Sequence, residues 1–169
     1  EYAAREARPP AVLVLGAAGK SGSLALAAAR DAGAGRLVGV VPTKHEATAL
    51  ERVGLADHVV TADARSPLGL SAALASAGGP CDVTVVCVDV PGCEQPAILA
   101  TAQGGTIIFF SMATNFAAAA LGAEGAAADV TMLVGNGYVP GHAAYALGLL
   151  RSSTGVRTLF EERLSRERS

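Results

Sequence analysis

Seven consecutive residues, Gly16-Ala17-Ala18-Gly19-Lys20-Ser21-Gly22, have the types and spacing to hold a negatively charged group. Glycine lets the backbone turn sharply and approach a ligand with no Cβ in the way. The N–H groups at a helix start add donors and the positive end of a dipole. The turn follows the apolar run Ala11 to Leu15 and opens a helical stretch through Ala32, the order strand, glycine turn, helix of a diphosphate cradle. Gly16, Gly19, Lys20, Ser21 and Gly22 are therefore the candidate phosphate-binding residues. Lys20 would add a point cation.

Spacing separates the kinds of cradle. A Walker A loop needs a glycine where this chain has Val14, so kinase-like phosphate transfer does not fit. A short-chain dehydrogenase needs Tyr four residues before Lys, but Tyr2, Tyr138 and Tyr145 are followed at that distance by Glu6, His142 and Leu149. The strict G-x-G-x-x-G register fails at Ala18 and Ser21, whereas G-x-x-G-x-x-G holds. In a chain of alternating strands and helices that register points to a dinucleotide.

The elements that must position the turn follow from periodicity. Apolar, β-branched runs at Ala11 to Leu15, Leu37 to Val41, His58 to Thr61, Val83 to Val88, Thr106 to Phe110 and Val130 to Val134 read as strands covered on both faces. Helical stretches lie between them at Lys20 to Ala32, Lys44 to Val53, Leu68 to Ala77, Cys93 to Gln103 and Asn115 to Leu121, with a last one at Gly141 to Ser152. Gly33, Gly54, Gly78 and Gly104 stand just past four of these helices, as left-handed caps would. The expected fold is α/β, a Rossmann-type doubly wound six-stranded parallel sheet with helices on both faces.

In such a sheet the ligand lies across the carboxyl ends of the strands at the switch point. On the adenine side the candidates are Thr43, Lys44 and Asp63; on the nicotinamide side they are Val88, Asp89, Ser111, Met112 and Asn136, followed by Gly137 and Tyr138. The second strand normally ends in an acid that bonds the adenosine ribose, and Val40-Val41-Pro42-Thr43-Lys44-His45 has none. Without that carboxylate a 2′-phosphate is not repelled, and Thr43 and Lys44 could bond it, so NAD and NADP both stay open. Asp89 also fits a plain turn residue before Pro91, and Tyr138 and His142 fit a strand end and a helix start better than acid–base roles. The sequence assigns no catalytic residue.

Composition narrows the context. The 169 residues are 51% hydrophobic and 17% charged, enough for one domain with a sizeable core. Thirteen basic and fifteen acidic residues give a net charge of -2 with the basic residues scattered, which is no nucleic-acid footprint. The C-terminal mix of Arg163, Arg166 and Arg168 with Glu161, Glu162 and Glu167 reads as a solvated helix face. Cys81, Cys87 and Cys93 lack C-x-x-C spacing, so they read as small core hydrophobes in a reducing cytoplasm, with no metal site. No apolar window is long enough for a membrane span, and no signal segment leads the chain. Residues 1–10 read as a linker or the end of a missing N-terminal catalytic domain, 11–165 as the dinucleotide-binding domain and 166–169 as a tail.

Gly54-Leu55-Ala56-Asp57-His58-Val59-Val60 resembles the G-A-D-x-V-I segment of medium-chain dehydrogenases and quinone reductases. Phe109-Phe110-Ser111-Met112-Ala113-Thr114, Ala120-Leu121-Gly122-Ala123-Glu124-Gly125 and Asp129-Val130-Thr131-Met132 resemble segments of the L-erythro-3,5-diaminohexanoate dehydrogenase family, as do Gly135-Asn136-Gly137-Tyr138 and Gly141-His142-Ala143. The resemblance runs from Val12 to Arg163. It implies the C-terminal cofactor domain of an enzyme about twice this length. The implied reaction is NAD-dependent oxidative deamination of a small diamino acid in lysine fermentation, giving 5-amino-3-oxohexanoate and ammonia. Residues acting on the substrate would then sit on the other half. The alternative is a free-standing NAD(P) sensor without turnover. A homodimer is expected through the edge of the sixth strand, as the likeness to medium-chain dehydrogenases also implies.

Overall fold

The apolar runs form strands because each is covered by helices on one or both sides. A computed structural model describes residues 8–135 and 139–167. Along the chain lie β1 (Ala11–Leu15), α1 (Lys20–Asp31), β2 (Arg36–Val41), α2 (Lys44–Val53), β3 (His58–Thr61), α3 (Pro67–Ala75) and β4 (Cys81–Val86). They are followed by α4 (Glu94–Leu99), β5 (Thr101–Phe109), α5 (Phe116–Gly125), β6 (Val130–Val134), α6 (His142–Ser152) and α7 (Thr154–Glu167). The strands form one sheet in the order β3-β2-β1-β4-β5-β6, every pairing parallel. The doubly wound reading holds.

Side-chain alternation along β1 explains why the run has no polar position. Leu13 and Leu15 enter one core with Val40, Leu70, Leu74, Ile98, Ile107 and Phe109. Val12 and Val14 enter the other with Leu26, Leu37, Leu50 and Leu159. Helices α3, α4 and α5 thus cover one face, while α1, α2 and α7 cover the β1–β2 side of the other. Helix α7 is more than a solvated face: Val156 and Leu159 are buried, and Arg52 pairs with Glu162. Its backbone runs to Glu167.

The fourth helix is shorter than its composition suggests. It stops at Leu99, and residues 101–103 belong to β5. Thr101 stands at the change: its Oγ1 donates to Ala97 O and is bonded to Thr84 Oγ1, both at 2.7 Å, and Cys81 N–H donates to Ala100 O at 2.9 Å, so the chain enters the sheet beside β4. Gly104 consequently is not a helix cap. It lies inside β5, where the register against β4 shifts between Cys81 and Val83, and its N–H donates to Asp129 O at 2.6 Å. The caps at Gly33, Gly54 and Gly78 do have positive φ.

Two carboxylates tie strand starts to the rest. Asp82, 4% exposed, accepts Ala11 N–H at 2.7 Å and both Arg8 terminal nitrogens at 2.8 Å, which fixes the chain at its entry into β1. Asp57 accepts Leu37 N–H at 2.7 Å and Arg30 at 2.9 Å. Burial pushes the Asp57 carboxyl upward, but the hydrogen bonds from Leu37 and Arg30 outweigh it and leave the group below its ordinary value. A depressed folded value means that this stabilisation is complete above about pH 5 and is lost as pH falls through the folded value. Asp57→Asn should therefore reduce the loss of urea resistance between neutral and acidic pH; an unchanged acid limb would show that Asp57 contributes none of it.

Candidate functional site

The glycine turn is built by exclusion of side chains. A Cβ on Gly22 would lie 2.1 Å from Gly16 O and 2.8 Å from Ala17 Cα, so α1 can seat on the turn only with hydrogen at that position. Gly16 has φ +77°, and a Cβ there would lie 3.0 Å from Val88 Cγ2 and 3.2 Å from Cys87 O. At Gly19 it would lie 3.2 Å from Gly16 O. Gly16 and Ala17 donate to Val40 O at 3.0 and 3.1 Å, binding the turn to β2, and Gly19 donates to Gly16 O at 3.0 Å. The backbone is thus fixed from three sides.

Gly19 is also the N-cap of α1 and offers no side-chain cap. The first intrahelical bond is Ser23 N–H to Gly19 O at 2.9 Å, which leaves the Ser21 and Gly22 N–H groups ahead of it without an intrahelical acceptor. Lys20 and Ser21 are exposed there. A fixed turn, a bare helix start and a neighbouring lysine fit a diphosphate.

The switch point lies between β1 and β4, and Gly16 touches the exit of β4 at Cys87 and Val88. On the adenine side Thr43 caps α2: its Oγ1 accepts Glu46 N–H at 3.2 Å and donates to Glu46 Oε2 at 3.0 Å. The hydroxyl expected to meet a phosphate is held as the helix cap and by the Glu46 carboxylate. Glu46 was not a candidate, although the T-x-x-E spacing carries the signal; its carboxylate folds back to the end of β2, where the ribose acid was missing. Lys44 is exposed. Asp63 accepts from Arg65 N–H, Nε and Nη2 at 2.9 to 3.0 Å, and these bonds hold its carboxyl below the usual range. Arg65 also was not foreseen.

On the nicotinamide side the structure joins two candidates: Ser111 Oγ donates to Asp89 Oδ1 at 3.3 Å and accepts Ala113 N–H at 3.1 Å. Val88 is half-buried against the glycine turn, and Met112 is 90% exposed. Phe109, Phe110, Ser111, Met112, Phe116 and Val134 line a pocket of about 130 Å³ at the carboxyl ends of β5 and β6. Asn136, Gly137 and Tyr138 lie outside the described residues. His142 begins α6, and its Nδ1 is 2.7 Å from Val139 O. Burial pushes the Cys81 and Cys93 thiols up to about 11 and Cys87 up to about 12, so all three are poor nucleophiles at neutral pH.

Glycine substitution separates packing from propensity. Gly22→Ala should lower stability by about 1–3 kcal/mol through forced repacking. Gly148→Ala in α6, where a Cβ meets nothing within 4 Å, should raise it by about 0.5–1 kcal/mol. Thermal unfolding of both variants checks the pair, and equal effects would contradict the contact at Gly22.

No protein-family profile matches the chain. It is 44% identical over 155 residues to the L-erythro-3,5-diaminohexanoate dehydrogenases of Acetoanaerobium sticklandii and Fusobacterium nucleatum, covering 89% of this chain and 45% of each of theirs. The chain thus spans about half the length of the curated relatives it matches. Among solved structures, a zinc-binding dehydrogenase of Clostridium scindens superposes with TM-score 0.66 at 16% identity, over 93% of this chain and 47% of that one. A zinc-binding dehydrogenase of Sinorhizobium meliloti bound to NADP gives 0.63 at 19%, over 86% and 42%. A short chain alcohol dehydrogenase of Escherichia coli complexed with NADH gives 0.62 at 16%, over 85% and 41%. The fold is one found in nicotinamide-dependent dehydrogenases, and across 89% of its length the chain is a sequence relative of the L-erythro-3,5-diaminohexanoate dehydrogenases.

Proposed function

We propose that this chain is the dinucleotide-binding part of an oxidoreductase acting on a CH–NH2 group. The observation that carries the reading is the Gly16–Gly22 turn, whose close backbone approaches seat the start of α1, with the Ser21 and Gly22 N–H groups lacking an intrahelical acceptor, at the end of β1. The N–H groups of Ser21 and Gly22, with Lys20 beside them, would hold the pyrophosphate. Adenosine would extend toward β2, past Thr43, Lys44 and Asp63. The nicotinamide would extend past Val88 toward Asp89, Ser111 and Met112, and the sequence places Asn136 after the next strand. The bound cofactor supplies hydride acceptance; the chain's residues orient it.

The substrate proposal rests on the relatives' printed name. L-erythro-3,5-diaminohexanoate would lose the 3-amino group by NAD-dependent oxidation, with water supplying the ketone oxygen of 5-amino-3-oxohexanoate and ammonia leaving. The residues that act on it belong to the remaining half of the relatives' length. Replacing the matched segment of the Fusobacterium nucleatum relative with this chain should preserve 3,5-diaminohexanoate-dependent NADH formation. A chimera that binds NADH and never turns over that substrate would count against the substrate, leaving the dinucleotide intact.

Of the two coenzymes, NAD fits better. The Glu46 carboxylate, held 3.0 Å from Thr43 Oγ1 at the end of β2, can accept from ribose hydroxyls and repels a 2′-phosphate. Glu46→Gln should shift the NADP-to-NAD affinity ratio toward NADP by about tenfold, the equivalent of 1.4 kcal/mol. Side-by-side titration of the two coenzymes reads it, and an unmoved ratio would remove Glu46 from the site.

Association as a homodimer through β6 is part of the proposal. That strand is one of the two sheet edges, and Leu133 and Val134 are 52% and 38% exposed. Pairing two such edges continues the sheet. Light scattering should give twice the monomer mass, and Leu133→Lys should halve it; a monomer at high concentration would refute the pairing.

A further inference from the structure

Glu94 is one of two carboxylates buried among the described residues, at 4% exposure, and nothing in the proposed cofactor contacts uses it. It opens α4, directly after the 87–93 loop. Its Oε1 accepts Asn115 N–H at 2.7 Å, at the far end of the 110–115 loop. Asn115 in turn caps α5, its Oδ1 accepting Ala118 N–H at 3.0 Å. At the rim the same loops are joined again by Ser111 Oγ to Asp89 Oδ1 at 3.3 Å. Two side-chain links, one exposed and one part-buried, therefore stitch the loop after β4 to the loop after β5.

Burying a carboxylate is costly unless hydrogen bonds compensate it. The bond that Glu94 makes fixes the end of the segment carrying Ser111 and Met112 from a buried carboxylate, whereas the rim link is exposed. We propose that Glu94 is a positioning residue for the nicotinamide end of the ligand, acting through Asn115 N–H to hold residues 111–115 against the 87–93 loop. The inference rests on the dinucleotide reading above and assigns Glu94 no contact with the cofactor.

The two ends of the ligand can be titrated separately, because ADP-ribose has the adenosine and diphosphate of NADH and lacks the nicotinamide. Calorimetric titration of the 169-residue chain with both ligands forms the test. Glu94→Asp withdraws the carboxylate by one methylene, and Glu94→Ala removes it; each should weaken NADH by about tenfold while ADP-ribose changes by less than about twofold. Glu94→Gln keeps an oxygen for Asn115 N–H and should leave both ligands within about twofold of the parent. If Glu94→Ala does not fold, the Asp and Gln variants decide alone. Equal weakening of both ligands in Glu94→Asp, or an unchanged NADH affinity in a folded Glu94→Asp, overturns the positioning role. A parent chain that binds neither ligand overturns the dinucleotide reading and this inference with it; a parent that binds both, with variants that do not separate them, overturns the inference only.

Discussion

The site depends on one close approach, that of α1 to the end of β1 at Gly22. A Cβ there would lie 2.1 Å from Gly16 O, a distance no relaxation of a flexible side chain can relieve because both partners are backbone. From that contact the geometry follows in order. The helix start comes down onto the turn, the turn is held to β2 through Val40 O, and Gly16 closes on Cys87 and Val88 at the exit of β4. The crevice between β1 and β4 is therefore defined by backbone, which moves little and carries its dipoles at fixed angles. A larger residue at 22 would tilt the helix start away and take the N–H groups of Ser21 and Gly22 with it.

Polar groups are then used to fix loops at opposite ends of the sheet. At the strand starts, Asp82 binds Arg8 and Ala11 N–H, so the chain enters β1 along a set path. At the strand ends, Glu94 and Asp89 bind the loop that follows β5. Both buried acids accept backbone N–H groups, which satisfies a donor that neither helix nor sheet can reach and gives the carboxylate its compensation. The same arrangement on the adenine side is exposed and weaker, with Thr43 and Glu46 exchanging bonds at 3.2 and 3.0 Å.

How much of this was legible depends on whether the cause is local. Strand β1 was, because Val12 and Val14 face one core and Leu13 and Leu15 the other, so every position in the run is apolar. The glycine turn was, because the chemistry it needs is a matter of spacing. The start of β5 was not: residues 101–103 have helical composition, and they enter the sheet through bonds to distant positions, Thr101 to Thr84, Cys81 N–H to Ala100 O and Gly104 N–H to Asp129 O. Ser111 and Asp89 were found as strand-end residues, while their bond to each other spans 22 positions and leaves no local trace. Glu94 reads locally as an ordinary acid in a first helical turn, and its burial is a tertiary fact. Glu46 is different, since T-x-x-E is a local signal for a side chain that folds back to the residues ending β2.

The two halves of the sheet are not equally finished, and the asymmetry matches the division of labour proposed for them. Strands β1 and β2 are covered on both faces, and their core residues are almost fully enclosed. On β5 and β6 only one face is closed: Ile107 and Phe109 are buried under α4 and α5, while Phe110 and Leu133 are half exposed. The helix nearest that open side, α6, buries no residue and reaches α1 through the Tyr145 hydroxyl, which donates to Asp31 at 2.8 Å. An apolar groove of about 270 Å³ remains between α1, α6 and the sheet, lined in part by Leu24, Val85, Ile108, Phe110 and Leu149. Tight packing around the proposed phosphate cradle would favour affinity, because an anion there would meet groups that need no rearrangement. Looser packing at the ends of β5 and β6 leaves apolar surface open there, and the side-chain links of Glu94 and Asp89 join the two loops on that side.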